Sequence, residues 1–234
     1  MRSRVTAVLV LAVLAASSGC DALDNARRAG SQGQLFTDLA ARLGRGSELT
    51  YTAEYQLDGG RSATVAIAPG RAAYTFVGGK ISVTTDTFMN CRRAGAATTC
   101  TLTSVPTAAP GQLVAYSLGA DLQATIVASG FVPPSVVAGL LSAAALDPDA
   151  TVRQHDSTIA GQHATCVEVG QVDNAVASAY DVCVTTDGVL GSFSGTVLDK
   201  AVEVSLTDYR DDVPDGAFAP PPGATTVDLR VSRQ

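Results

Sequence analysis

The stretch Leu49–Leu57, LTYTAEYQL, decides the fold class. Leu49, Tyr51, Ala53, Tyr55 and Leu57 alternate with Thr50, Thr52, Glu54 and Gln56. A period of two places one set on each face of an extended chain, so this is a half-buried antiparallel strand. Asp58-Gly59-Gly60 follows, and these residues tolerate the positive φ of a tight hairpin turn. The pattern predicts a second strand over 61–68, a turn at Pro69-Gly70, and strands over 71–77 and 80–89 parted by Gly78-Gly79. The segment from Cys91 to Thr103 closes this run of hairpins. Upstream, Leu35, Phe36, Leu39 and Leu43 have helical spacing, which predicts a helix over 34–45 ended by Gly44 and Gly46.

Downstream the character changes. Residues 111–146 carry one charge, Asp121. Val136, Val137, Leu140, Leu141 and Ala144 recur at helical spacing behind Pro133-Pro134, where a first helical turn tolerates proline. A helix over 134–145 is expected, with a weaker one over 120–129. Gly130, Pro133 and Pro134 break the apolar run too early for a membrane hairpin. Strands return at 151–159, 162–170, 177–185, 189–195 and 200–209, the last with Val202, Val204 and Leu206 alternating with polar residues. A long sheet with one apolar face must bury that face. The expected fold is α+β: a large curved antiparallel sheet, a half-barrel or open barrel, packed on a few helices.

The N-terminus speaks to location. Arg2 and Arg4 precede the uncharged run Val5–Ala16, and then come Ser17-Ser18-Gly19-Cys20. A basic start, a short apolar centre and small residues before a cut site describe a secretory signal peptide. A cysteine directly after the small residues resembles the bacterial lipobox, although Ser17 stands where that motif carries Leu. The resemblance implies a lipoprotein: Cys20 lipidated, residues 1–19 removed, and the domain anchored on the extracytoplasmic face of the cell membrane. Residues 20–33 read as a tether and 34–229 as a single domain.

With Cys20 assigned to lipid, Cys91, Cys100, Cys166 and Cys183 remain. An even count in an exported chain reads as disulfides. Cys91–Cys100 and Cys166–Cys183 are the expected pairs, because each flanks a strand-turn-strand segment. Neither spacing is C-x-x-C, and the two histidines do not flank the cysteines as in a zinc finger.

Composition narrows the classes further. The 234 residues include 16 Lys+Arg against 22 Asp+Glu, a net charge of −6. Loss of Arg2 and Arg4 takes the mature chain to −8. No basic face is on offer for nucleic-acid phosphates. Apolar residues make up 46% of the chain, which argues against disorder.

No catalytic constellation emerges, so an enzyme is not expected. His155 and His163 flank a hairpin turn beside Asp156 and could meet across the ladder, but two imidazoles fall short of a usual metal set. A solvated hairpin face is the reading preferred, and neither a metal nor another cofactor is expected. In Gly191-Ser192-Phe193-Ser194-Gly195, phenylalanine holds the position where a nucleophile elbow needs serine. Gly78-Gly79-Lys80 lacks the phosphate-loop spacing. Asp208, Asp211, Asp212 and Asp215 suggest calcium only in composition, and a solvated acidic loop suits them better.

The tail Phe218-Ala219-Pro220-Pro221-Pro222-Gly223, with Val227-Asp228 after it, is similar to the Phe-x-Pro-Pro-x-Gly stretch that ends the core of LolA-type proteins. Together with the lipobox and the strand-helix-strand order, residues 34–229 resemble the LolA/LolB-like superfamily of envelope lipoprotein carriers, and its LppX/LprG-type lipid-binding branch. That resemblance implies an unclosed antiparallel barrel facing helices across an apolar cavity for acyl chains. The two hairpin disulfides depart from that branch. The implied function is a membrane-anchored envelope lipoprotein that binds a lipid or other hydrophobic ligand. Phe131, Val136, Val137, Leu140 and Leu141 are the candidate cavity wall, on their apolar character alone. The alternative is an envelope protein-interaction or sensor module on the same fold, without a ligand.

Overall fold

The computed structural model describes residues 18–105, 126–173 and 175–230, with side chains from residue 30 onward. The apolar part of the signal peptide and most of the expected 120–129 helix lie outside the described residues; 126–128 are helical. Two helices stand in the described chain, α1 (Ser18–Gly46) and α2 (Pro134–Leu146). Six strands follow α1: β1 (Tyr51–Leu57), β2 (Arg61–Ala68), β3 (Arg71–Phe76), β4 (Gly79–Val83), β5 (Thr87–Ala94) and β6 (Ala97–Ser104). Six more follow α2: β7 (Thr151–Ile159), β8 (Gln162–Gly170), β9 (Tyr180–Thr185), β10 (Leu190–Val197), β11 (Lys200–Arg210) and β12 (Thr225–Asp228).

All twelve strands form one open sheet in the order β12-β6-β5-β4-β3-β2-β1-β11-β10-β9-β8-β7. It is two meanders joined along a seam. Strand β1 pairs antiparallel with β11, Leu57 opposite Val204 and Tyr55 opposite Leu206, with an irregularity at Glu54/Tyr55. Thr207 donates to the Glu54 carbonyl at 3.0 Å, and the Arg210 guanidinium meets the Glu54 carboxylate at 2.6 Å. The curved α+β half-barrel read from the alternation is the fold observed.

The alternation also sets the faces. Tyr51, Ala53, Tyr55 and Leu57 turn inward with Val65 and Ile67 of β2, and with Val202, Val204 and Leu206 of β11, all buried. Onto this concave side pack Phe36, Leu39 and Leu43 of α1, each 3% exposed or less, and Val137, Ala138, Leu140, Leu141 and Ala144 of α2. Each fully buried Phe or Leu contributes about 1.5–3 kcal/mol. A second small cluster lies apart from this core: Met89, Cys91 and Cys100, with Leu102 and Ala224 of the tail packed on it.

Four differences from the sequence reading have physical causes. The helix expected from residue 34 begins at Ser18, so the backbone read as a tether is helical; Ala, Leu and Arg supply helix formers there. The strand expected over 80–89 is two strands, β4 and β5. Thr84 makes the turn by accepting the Thr87 N–H on its Oγ1 at 3.2 Å, a side-chain turn that needs no glycine. Leu49 lies before β1 and is exposed. Strand β12 is an addition to the expected set; four exposed residues pair parallel to β6, from Thr225 opposite Thr99 to Asp228 opposite Leu102.

Candidate functional site

The site of interest is the concave face beneath the two helices. Strands β1 and β3 bring three tyrosines there, because Tyr51 and Tyr55 are two pleats apart and Tyr74 sits opposite Val65 of the intervening β2. Phe131, just before α2, inserts among them, 5.5 Å from the Tyr55 ring and 6.3 Å from that of Tyr74. Tyr51 stacks on Tyr209 across the seam at 5.7 Å. Burial pushes the Tyr74 phenol up to about 12. Burial, then the neighbouring phenols, holds Tyr51 and Tyr55 well above the ordinary range. All three are neutral at any physiological pH, so the cluster offers hydroxyls but no charge.

Among the described residues, no hydrogen bond joins helix α2 to the sheet. Its Ser142 hydroxyl donates to the Ala138 carbonyl of its own helix, at 2.8 Å. Its Ser135 hydroxyl is buried with no hydrogen-bond partner, as are those of Tyr55 and Tyr180. Each such orphan costs about 1–3 kcal/mol. Between the α1 C-terminus and the α2 N-terminus lies a cleft of about 20 Å³, lined by Leu43, Tyr51, Ile67, Tyr74, Ser135 and Ala138 among others. That is room for about one water. At the opposite ends of the helices, Phe36, Ala144 and Leu146 border a wider, open cleft of about 210 Å³.

The five residues read as cavity wall lie in the core or at its margin. Phe131, Val137, Leu140 and Leu141 are buried core, and Val136 is half-buried at its margin. None of the five lines the 20 Å³ cleft. Apolar spacing could not separate wall from filling, since both demand the same residues. Tyr51 and Tyr74 line that cleft beside the aliphatic Leu43, Ile67 and Ala138; the alternation that turns Tyr51 inward was its trace in the sequence.

The remaining candidates are resolved by the pleat. His155 pairs with Cys166 and His163 with Thr158, so the two histidines stand three residues apart along the ladder, an odd offset that puts them on opposite faces. Both are exposed. Among the described residues, His155, Cys166 and Cys183 bring possible ligand atoms within 4.8 Å, but both sulfurs are in a disulfide. Cys91–Cys100 and Cys166–Cys183 are bonded, each pair directly opposite on neighbouring strands with Cα atoms 3.9 and 4.0 Å apart. Ser192 and Ser194 lie within β10, an interior antiparallel strand with no strand-to-helix turn. Asp208 pairs with Arg210 at 3.2 Å, and Asp211, Asp212 and Asp215 face solvent. Cys20 falls in the α1 backbone; its side chain lies outside the described atoms.

The proline-rich tail has a visible structural job. Lys80 is largely buried and donates from Nζ to the Ala219 carbonyl at 2.8 Å; Ser82 donates to the Phe218 carbonyl at 3.0 Å. The Arg71 guanidinium lies 4.6 Å from the Phe218 ring centre. The tail is thus strapped across β3 and β4 before β12 joins the sheet edge. A second tie escaped the sequence reading: the Asp147 carboxylate after α2 accepts the backbone N–H of Asp173 at 2.7 Å and of Asp149 at 2.9 Å. Those bonds hold its carboxyl below the usual range.

No family model matches the chain, and no curated protein matches it. Among solved structures, an uncharacterized conserved protein from Thermus thermophilus is similar with a TM-score of 0.45 and 11% identity, over 82% of this chain and 97% of that one. MucB, solved in complex with MucA(peri), gives 0.39 and 11% over 82% of this chain and 61% of that one. MucB alone gives 0.40 and 12%, over 81% and 64%. The chain thus spans less than two thirds of the length of MucB.

Proposed function

We propose that this chain is a non-enzymatic envelope lipoprotein, held on the extracytoplasmic face of the membrane through lipidated Cys20, and that its half-barrel is a protein-interaction or sensor module. The observation that carries this reading is the packing of two helices of the chain itself onto the concave face. Among the described residues they leave clefts of about 20 Å³ beside the tyrosine cluster and about 210 Å³ by Leu146. An acyl chain needs a pocket of several hundred Å³. The lipobox-like start and the two disulfides support the compartment. The surface offered to a partner is the β7 edge, nine residues at the end of the sheet order with no strand beyond among the described residues. An extended partner segment adds there by main-chain hydrogen bonds.

The test is affinity purification of the tagged, lipidated chain from its own host's membranes. Proline is placed singly at Gln154 and at His155; one of the two directs its N–H away from β8. Retention of a stoichiometric partner by the parent chain, and its loss from one proline variant alone, is the expected result. The same partner retained by both variants removes the β7 edge from the proposal. Recovery of stoichiometric lipid with no protein partner overturns the interaction reading.

One observation favours a second reading, carriage of a lipid or other hydrophobic ligand in the manner of LolA/LolB-like proteins or their LppX/LprG-type branch. Helix α2 is held to the sheet by apolar contact alone among the described residues, with its own Ser135 hydroxyl and that of Tyr55 on the sheet left unpartnered. A ligand displacing α2 would replace those contacts at about 25 cal/mol per Å² of apolar surface. Organic extraction of the native protein decides between the readings.

A further inference from the structure

Seven large apolar side chains are exposed among the described residues, and four of them sit at one end of the half-barrel in four separate connections. Val77 (59% exposed) is in the β3–β4 turn, Leu146 (87%) ends α2, Val176 (53%) is in the β8–β9 loop, and Leu198 (44%) is in the β10–β11 turn. The antiparallel order makes these one end. Leu57, before the β1–β2 turn, pairs with Val204 near the start of β11, and Tyr180, after the β8–β9 loop, pairs with Gly195. Two hydrogen bonds tie the parts together: Leu198 N–H to the Val176 carbonyl at 3.3 Å, and Asp173 N–H to Asp147 at 2.7 Å. At the other end of the barrel lie Leu49 (37%) and Leu229 (60%), the latter past β12 with its N–H on the Leu102 carbonyl.

The same end is where α1 leaves the domain. Gly33 lies against the Ala145 carbonyl at the foot of α2, while the α1 C-terminus, Gly46, contacts Gly188 at the far end. From Gly33 the helix runs back to Cys20, about 20 Å at about 1.5 Å per residue. Leu198 is held at φ 50°, in the left-handed region unusual for leucine, so the apolar tip is displayed by a turn that other residues would adopt more easily. Charges at this end are mixed: Arg92, Arg93 and Lys200 are exposed there, against Asp58, Asp173 and Asp199. Electrostatic attraction to headgroups is therefore not the main force, and insertion of the apolar tips is.

We infer that this loop end is the membrane-facing rim, and that Leu146, Val176 and Leu198, with Val77 farther along it, enter the bilayer surface to which Cys20 is anchored. The inference rests on the lipid-anchor reading of Cys20. Its occupant is a lipid surface, chosen because the helix that carries Cys20 leaves the domain at the end where the tips are exposed; apolar side chains at headgroup depth bind in proportion to the area they bury.

The chain contains no tryptophan, so single substitutions give site-specific probes. Leu146→Trp, Val176→Trp, Leu198→Trp and the far-end control Leu49→Trp are made in the full lipidated chain. Each is reconstituted into phosphatidylcholine vesicles carrying brominated acyl chains. Blue-shifted emission quenched several-fold at 146, 176 and 198, and neither effect at 49, is the expected result. Rim probes as unquenched as Leu49→Trp, on a chain that carries its acyl mass and floats with the vesicles, overturn the rim and leave the anchor intact. Rim probes unquenched on vesicles yet shielded from aqueous quencher in native envelopes make this end a protein interface, which also overturns it. A mature chain lacking acyl mass overturns the anchor reading first, and the rim with it.

Discussion

Gly46 and Gly188 meet backbone to backbone, one at the end of α1 and the other in the β9–β10 turn. A Cβ on Gly46 would lie 2.1 Å from the Gly188 carbonyl oxygen, and a Cβ on Gly188 would lie 2.1 Å from that of Arg42. Gly188 also has φ 86°, which side chains resist. This contact seats the first helix on the concave face, so either residue changed to alanine forces helix and turn apart. Gly46→Ala and Gly188→Ala each lose about 3 kcal/mol or more, read as a fall in the urea midpoint. Gly139→Ala is the contrasting case: it is exposed in the middle of α2, with nothing within 4 Å of the new Cβ, and gains about 0.5–1 kcal/mol of helix propensity.

Tyr55 and Tyr180 bury hydroxyls that bond to nothing. Phenylalanine keeps ring packing, including the 5.5 Å contact of Tyr55 with Phe131 and the 5.8 Å stack of Tyr180 on Phe193. Removing an unsatisfied polar group is neutral to favourable. Tyr55→Phe and Tyr180→Phe therefore leave Tm unchanged or raise it, by up to about 1 kcal/mol of stability each. A clear loss in either variant means the hydroxyl has a partner, such as a buried water.

Alkaline pH attacks the tyrosine cluster. Unfolded tyrosines ionise near pH 10, at about the ordinary phenol value. Burial holds Tyr74 protonated up to about 12. Above pH 10 the unfolded chain loses protons that the folded chain keeps, so stability falls with rising pH; below pH 10 the contribution is fully present. Tyr74 alone removes about 2 kcal/mol by pH 12, at about 1.4 kcal/mol per unit. Denaturation followed at stepped pH, beside phenolate absorbance, should show folded-state ionisation lagging and then arriving with unfolding.

The two disulfides close loops of different length, with sequence separations of 9 and 17. Chain entropy assigns about 2.7 kcal/mol to Cys91–Cys100 and about 3.2 kcal/mol to Cys166–Cys183. Double alanine variants measured in urea should lose at least these amounts, because Cys91, Cys100 and Cys166 are also buried. A Cys91/Cys100 variant should further loosen the tail, since Ala224 packs on that bridge. Faster proteolysis after residue 213 reports it.

What the sequence determined by itself was local. Alternation over Leu49–Leu57 and over Val202–Leu206 marked strands because a pleat repeats every two residues. Gly59-Gly60 and Gly161 marked turns, since they supply positive φ there. Val137, Leu140 and Leu141 marked a helix. Cysteine parity and spacing pointed to the two hairpin pairs that are bonded. The tertiary structure alone decided what depends on long-range register. It joined β1 to β11 across about 150 residues, sent His155 and His163 to opposite faces, and strapped the Phe218–Ala219 segment onto Lys80 and Ser82. It also decided how the apolar helices pack. The same leucines and valines serve a cavity wall or a core filling, and only the packed distances between two helices and a curved sheet bring Phe131, Val137, Leu140 and Leu141 into one buried cluster.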